Sequence, residues 1–280
     1  MNPDSLSPLA GSRIAIIGAG VMAESIVSGL VAKQTVNPTQ IVASHPRQDR
    51  RIQLAAKHGI EVVESNVEAV PGADLILLTI KPQVMHSVAE ELSGALQPHQ
   101  VVISIAAGTP VSQLKQGLRH ESIVRVMPNT PAQVGEGMAV WYASPQVPKD
   151  AREKVQVTLG ALGVELEVEE EKYVDMATAL SGTGPTYVFL MMEALIDAGV
   201  HMGFPRRIAE QIVMQTVGGS VSYARHSGKH LAELRNMVTS PGGTSAEAIY
   251  QMEKGGLRTI LSKSVHAAYK RTQSLAKESE

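Results

Sequence analysis

The sequence predicts an α/β protein, an N-terminal doubly wound parallel sheet followed by an all-α domain. Three observations predict it. From Arg13 to Val168, short runs that are apolar on consecutive residues alternate with helical segments, as expected of parallel strands covered on both faces. A glycine-rich turn, GAGVMA, stands directly after the first of these runs. Beyond Glu169–Glu171 the strand signals stop, and amphipathic helical stretches fill the remainder. These features divide the chain into a flexible extension at 1–12, a sheet domain at 13–170 and a helical domain at 171–280. The extension, MNPDSLSPLAGS, is Pro/Ser-rich and aperiodic, so it is expected to lie outside the fold.

The elements follow in order. Arg13–Ile17 reads as a buried strand and Val21–Lys33 as the helix after it. Next come Gln40–Ala43, a helix over Arg50–His58, Ile60–Val63 and the long run Asp74–Ile80. Val101–Ile105, Ile123–Val126, Met138–Tyr142 and Val164–Val168 complete the strands. Helices are expected over Tyr173–Leu180, Tyr187–Met202, Pro205–Ala224, His230–Met237, Ser245–Lys254 and Leu257–Lys270. Pro205 suits a first helical turn, where its missing N–H removes no hydrogen bond. The Met- and Ala-rich faces of these helices need a covering, from one another or from a partner subunit.

Composition bounds the function. The 280 residues suffice for two domains, and 44% hydrophobic against 19% charged residues supports a substantial core. Aromatics are only 3%, so that core rests on aliphatic side chains. A net charge of -2 without any block of like charge argues against a dedicated nucleic-acid binder. The absence of cysteine excludes disulfides and thiol chemistry and suits a reducing, cytoplasmic setting. No apolar run has the length of a membrane span.

IAIIGAGVMAESIVSGL, from Ile14 to Leu30, places G-x-G-x-x-A between a strand and a helix. This is the dinucleotide-binding arrangement of a Rossmann-type sheet. Gly18 permits the tight turn, Gly20 lets backbone approach a pyrophosphate, and Ala23 is small enough for close helix–strand packing. The loop Gly18, Ala19 and Gly20, with Val21 and Met22 at the helix start, is therefore the candidate phosphate cradle. At the end of the second strand an NAD site usually carries an acid for the ribose 2′-OH. Here Ser44 and His45 stand in its place, followed by Arg47, Arg50 and Arg51. A hydroxyl with nearby guanidinium groups suits a 2′-phosphate, which favours NADPH and leaves NADH as the alternative.

Ligands bind at the carboxyl ends of parallel strands. The candidates there are Thr79, Ile80, Lys81 and Pro82 after one strand and Ala106, Ala107 and Gly108 after another. Asn129 and Thr130, between two prolines after a third, are placed to line the nicotinamide pocket. His226 and His230 have the i, i+4 spacing of metal ligands, but Gly228 intervenes and no carboxylate pattern accompanies them, so no metal site is assigned. LSGTGP, Leu180 to Pro185, reads as a helix break. So does VTSPGGTSAEAI, Val238 to Ile249, which sets Thr239, Ser240, Thr244 and Ser245 around a Pro-Gly-Gly turn.

IGAGVMA, TIKPQ, SIAAG, RVMPNTP, LSGTGPTYVF, GFPRRIA and VTSPGGTSAEAI occur in this order and spacing. Together they resemble the pyrroline-5-carboxylate reductase family along the whole chain from Arg13. The resemblance implies reduction of the cyclic imine 1-pyrroline-5-carboxylate to L-proline by NADPH or NADH. It also implies a helical dimerisation domain, with homodimers assembling into higher oligomers such as decamers. Ser240, Gly243, Thr244 and Ser245 become substrate-binding candidates. Backbone N–H groups at Gly243, Thr244 and Ser245 are suited to the carboxylate, and Ser245 is suited to catalysis beside the imine nitrogen. The resemblance further points to Asn66 on the adenosine side and Glu171 near the substrate. The chain departs from the family pattern at Ser245, usually Thr, and at Met237, often Asn.

Two other readings compete. One is a related imine reductase or a β-hydroxyacid dehydrogenase; the latter uses a catalytic Lys on a second-domain helix, and no Lys occurs from Leu180 to Ala198. The other is a non-catalytic NADP-binding regulator, which has no need of the TSPGGTS loop.

Overall fold

The structure, a computed structural model, describes residues 7–278. Eight strands form one sheet: β1 Ile14–Ile17, β2 Ile41–Ser44, β3 Glu61–Val63, β4 Leu75–Leu78, β5 Val101–Ser104, β6 Ile123–Met127, β7 Gly137–Ala143 and β8 Gly163–Glu167. The α-helices interleaved with them are α1 Val21–Ala32, α2 Gln48–His58, α3 Asn66–Ala69, α4 Met85–Leu92, α5 Val111–Leu118 and α6 Lys149–Gly160. Then follow α7 Lys172–Ala177, α8 Gly184–His201, α9 Arg206–Ser227, α10 Leu231–Met237, α11 Thr244–Lys254 and α12 Leu257–Glu278.

The strand order is β3-β2-β1-β4-β5-β6-β7-β8. Strand order reverses at β1 and β4, which makes the carboxyl ends of these two strands the natural ligand crevice. The apolar runs are buried because each strand serves two cores: Ile14, Ile16, Leu75 and Leu77 enter one, while Ala15, Ile17, Ile76 and Leu78 enter the other. Consecutive residues point to opposite faces of the sheet, so a strand covered on both sides must be apolar throughout.

The sheet is not parallel across its whole width. β6 and β7 pair antiparallel, while β7 and β8 pair parallel to each other. Connection length explains both. Met127 joins Gly137 through a short 3-10 turn at Thr130–Val134, too short for the crossover that a parallel pair requires. β7 and β8 are joined through α6, which supplies one.

The segment assigned to an extension needs correction. Residues 1–6 lie outside the described residues, but residues 8–11 form a turn and Leu9 is fully buried in the core. Gln40 ties this turn down, its Nε2 donating to the carbonyls of Leu9 and Ser12.

The chain divides into two compact units. One runs to Thr183 and includes the segment from Ala268 onward; the other is Gly184–Ala267. The contact-defined division thus falls beyond the 170/171 boundary read from the sequence.

The second unit is helical and buries little of its own. Gly199 on α8 lets Ala209 of α9 approach, with a Cβ at 199 falling 3.1 Å from the Ala209 methyl. Ala209 is buried, yet Phe189, Leu190, Met191, Ile212 and Met214 are exposed. So many exposed large apolar side chains mark an association surface. Among the described residues, no helix is long and apolar enough to cross a membrane.

Candidate dinucleotide site and substrate loop

The glycine turn is built by three strand ends. Gly18 and Ala19 donate their N–H groups to the Ser44 carbonyl at 3.2 and 3.0 Å, tying the end of β1 to the end of β2. Thr79, just beyond β4, donates from its hydroxyl to the carbonyls of Ile17 and Gly18 at 3.0 and 2.7 Å. Gly18 has φ +89°, and a Cβ there would overlap the Ile80 side chain. Its identity is fixed by backbone conformation and by space at once.

Gly20 differs. It is the N-cap of α1, φ -81° and ψ -165°, with no side-chain cap, and a Cβ there would meet nothing within 4 Å. Glu24 N–H returns to the Gly20 carbonyl, while the N–H groups of Val21, Met22 and Ala23 have no protein partner among the described residues. Open space in front of unpaired N–H groups at the start of a twelve-residue helix fits a pyrophosphate. Val21 is exposed and Met22 half-buried at this mouth, while Ala19 and Ala23 are buried beneath it.

Glu24 braces the turn from below. Arg50 donates from Nε to the Ala19 carbonyl at 3.0 Å and pairs with Glu24, which also receives Lys57 at 2.6 Å. Hydrogen bonds from Lys57 and then Arg50 hold the Glu24 carboxyl at a pKa of about 2, down from 4.5, against the opposing effect of burial. A depressed carboxylate contributes its stability fully above pH 4.5 and loses it as pH falls towards 2. Replacement of Glu24 by Gln is therefore expected to cost roughly 1–3 kcal/mol at neutral pH. It should also flatten the acid-induced loss of stability in that window, as read by urea unfolding at several pH values. An unchanged acid profile would refute this role.

On the adenosine side several polar candidates are already bonded within the fold. Ser44 is fully buried, and its hydroxyl donates to Asn66 Oδ1 at 2.7 Å. Asn66 in turn donates to Glu91 at 2.7 Å. Of the three arginines, Arg50 braces the glycine turn, and Arg51 binds the His45 and Pro46 carbonyls and Glu64. Arg47 alone is exposed, paired with neighbouring Asp49, which raises the Arg47 pKa.

At the other strand ends, Lys81 is exposed and Pro82 opens a 3-10 turn. The Ala106 side chain is buried and its N–H donates to Ser104 Oγ. Ala107 is half-buried, and Gly108 turns the chain with φ +71°. Asn129, the pocket-lining candidate, is half-buried and makes three hydrogen bonds that hold its neighbours in place. Its Oδ1 accepts the Met138 N–H at 2.9 Å and its Nδ2 donates to the Ser181 carbonyl and hydroxyl. It joins the end of β6, the start of β7 and a π-helical turn at Thr178–Gly182. Leu180–Gly182 of LSGTGP belong to that turn, and Gly184 and Pro185 open α8; a Cβ at 182 would meet Met127 Cε.

Arg125 escaped the sequence reading altogether. It is buried on β6, only 2% exposed, and pairs with Glu171 at 2.9 Å and Asp175 at 2.5 Å. Glu171 Oε1 also accepts the Val111 N–H at 2.8 Å. Glu171 therefore clamps α7 to the sheet and to the start of α5. The available signal was an Arg inside the apolar strand IVRVM with two acids spaced i, i+4 further on.

The loop in the second unit links α10 to α11. His230 caps α10, its Nδ1 accepting the Ala232 N–H while Glu233 binds the His230 N–H. Among the described residues, no group of three or more acidic or histidine side chains is arranged to hold a metal. Met237 is exposed, its sulfur 3.5 Å from Lys229 Nζ. Thr239 donates to the Arg235 carbonyl, and Gly242 turns the chain with φ +70°.

Gly243 N–H is not free as expected: it donates to the Ser240 carbonyl at 3.0 Å and closes the turn. A Cβ at 243 would overlap Ser240 Oγ, so Gly243 admits Ser240 beneath the helix start. The N–H groups of Thr244 and Ser245 remain without a protein partner among the described residues, as does the half-buried Ser245 hydroxyl. α11 has eleven residues and a glycine N-cap that offers no side chain of its own. Two N–H groups and a hydroxyl at one helix start suit a small carboxylate carrying a polar ring.

Fold and site define a nicotinamide-dinucleotide oxidoreductase with a second, helical unit. Comparison with known proteins narrows this. The family profile for pyrroline-5-carboxylate reductase dimerisation matches residues 171–275, and that for coenzyme F420-dependent NADP oxidoreductase matches residues 13–108. The pyrroline-5-carboxylate reductase of Pseudomonas aeruginosa is 42% identical over 95% of this chain and 97% of its own. The structure of that enzyme from Coxiella burnetii superposes with TM-score 0.90 at 35% identity, over 95% of this chain and 98% of the other. The Plasmodium falciparum enzyme with NADP bound gives TM-score 0.85 at 29% identity, over 95% and 98%. The chain belongs to the pyrroline-5-carboxylate reductase family.

Proposed function

We propose that this chain reduces 1-pyrroline-5-carboxylate to L-proline, the last step of proline biosynthesis, with NADPH as its preferred reductant. The observation that carries the reading is the start of α11, where unpaired N–H groups at Thr244 and Ser245 adjoin an unengaged hydroxyl. A substrate made of a carboxylate, a ring C=N and little else is matched by that set. The NADP-bound relative from Plasmodium falciparum supports the same coenzyme here.

When bound, the reduced nicotinamide supplies the hydride. The chain's own residues bind and orient. The N–H groups of Val21, Met22 and Ala23 receive the pyrophosphate, and exposed Arg47 receives the 2′-phosphate. Thr244 and Ser245 N–H groups receive the substrate carboxylate, where the helix terminus adds roughly 0.3–2 kcal/mol and fixes orientation. The Ser245 hydroxyl hydrogen-bonds the ring nitrogen as it becomes an amine. Reduction adds one hydride at carbon and one proton at nitrogen, so positioning matters more than a strong base.

The exposed apolar faces of the second unit support a homodimer; we further read the protein as cytoplasmic and its dimers as assembling into a higher oligomer such as a decamer. Loss of reduced-nicotinamide absorbance with 1-pyrroline-5-carboxylate, compared for NADPH and NADH, tests the reaction. No turnover with either coenzyme would refute it. Sedimentation of the protein at several concentrations tests the assembly, which a monomer throughout would refute.

A further inference from the structure

His45 stands one residue beyond β2, at the position from which a carboxylate usually reads the ribose 2′-OH. Three contacts fix it. Its N–H donates to the Val63 carbonyl at 3.1 Å, and its carbonyl accepts Arg51 Nη1 at 3.0 Å. Its ring Nδ1 accepts the Arg47 N–H at 3.2 Å. The neighbouring Ser44 carbonyl holds Gly18 and Ala19, so the residue is anchored one peptide from the phosphate turn.

The Nδ1 contact settles the chemistry of the ring. Nδ1 is an acceptor there, so the hydrogen of a neutral imidazole lies on Nε2, which is a donor. Partial burial also pushes the His45 pKa down, in keeping with a neutral ring. Nε2 has no protein partner among the described residues. The ring therefore offers a hydrogen-bond donor where an NAD enzyme offers an acceptor. Ser44 cannot take this part, because its hydroxyl is buried and bonded to Asn66.

We propose that His45, through Nε2–H, is a specificity-determining residue that works with Arg47 to select a 2′-phosphate over a 2′-hydroxyl. The inference rests on the dinucleotide reading above and deepens it. A phosphate oxygen accepts from Nε2–H and from the guanidinium together, and charge-assisted bonds of this kind are the strong ones. A carboxylate at 45 would instead repel the phosphate and accept from the hydroxyl.

The test titrates the full-length protein with NADPH and NADH by their fluorescence, without substrate, so binding is read apart from turnover. His45→Asn retains an acceptor for the Arg47 N–H and removes the Nε2 donor. It is expected to weaken NADPH relative to NADH by about tenfold. His45→Gln places an amide donor near the Nε2 position and should shift the ratio clearly less. His45→Asp should reverse the preference. The proposal is overturned if His45→Asn leaves the ratio within about twofold of the parent, or if His45→Gln shifts it as far as His45→Asn does. If the parent binds neither coenzyme, the dinucleotide reading falls with it; if it binds both and His45 is indifferent, only this inference falls.

Discussion

Replacing Ser245 by alanine is expected to lower kcat by about a hundredfold, the lower end of what a positioned proton donor contributes. The hydroxyl has no protein partner among the described residues, so its removal breaks no bond there. The residue lies at the second position of α11, where alanine is at least as good a helix former as serine. Unfolding stability should therefore stay within about 0.5 kcal/mol of the parent. The Ser245 N–H survives the substitution, so the carboxylate keeps its donors and KM should move much less than kcat. Ser245→Thr supplies the control, because it restores the hydroxyl and adds a methyl that narrows the side-chain rotamers. Steady-state kinetics of the three proteins decide the matter. Alanine with parental kcat would remove Ser245 from the chemistry, and loss of KM without kcat would make it a binding residue only.

The sequence made some of this arrangement legible and concealed the rest, for physical reasons. Strands such as Ile14–Ile17 and Leu75–Leu78 announce themselves because double-sided burial forces every residue to be apolar. The glycine turn is legible because backbone conformation and close approach admit few residue types. Strand direction at β7 was not legible from apolar runs, which carry no polarity, although the short connection after Met127 held the clue. Leu9 looked like part of a loose tail because a single anchoring residue has no period. Ser44 and Glu171 carry scaffold contacts that the sequence did not show, for a common reason. A polar side chain at a strand end or helix start looks available until its partner is known, and those partners lie far along the chain, Asn66 for Ser44 and Arg125 for Glu171. Gly243 shows the local version of this limit. Its N–H closes the turn on Ser240, leaving only the next two for a ligand.

The two glycines of the phosphate turn should respond differently to the same substitution, and the contrast tests the turn itself. Gly20→Ala adds a methyl that meets no protein atom within 4 Å, on a backbone that L-residues adopt freely. The fold should be indifferent, with a melting temperature equal to the parent's. A pyrophosphate held by the N–H groups of Val21, Met22 and Ala23 would pack closely on the Gly20 backbone, so the added methyl is expected to hold it away from them. Coenzyme affinity is expected to fall about a hundredfold, equivalent to ~2.7 kcal/mol. Gly18→Ala should instead damage the fold. A positive φ of 89° strains any L-residue, and the new methyl would overlap Ile80. Strain of this kind costs about 1–3 kcal/mol, with overpacking adding a similar amount. That variant should melt earlier and bind poorly because its turn is distorted. Calorimetric unfolding beside fluorescence titration separates the two outcomes. If Gly20→Ala binds NADPH as the parent does, the open space at Gly20 is not where the pyrophosphate lies, whatever Gly18→Ala does to stability.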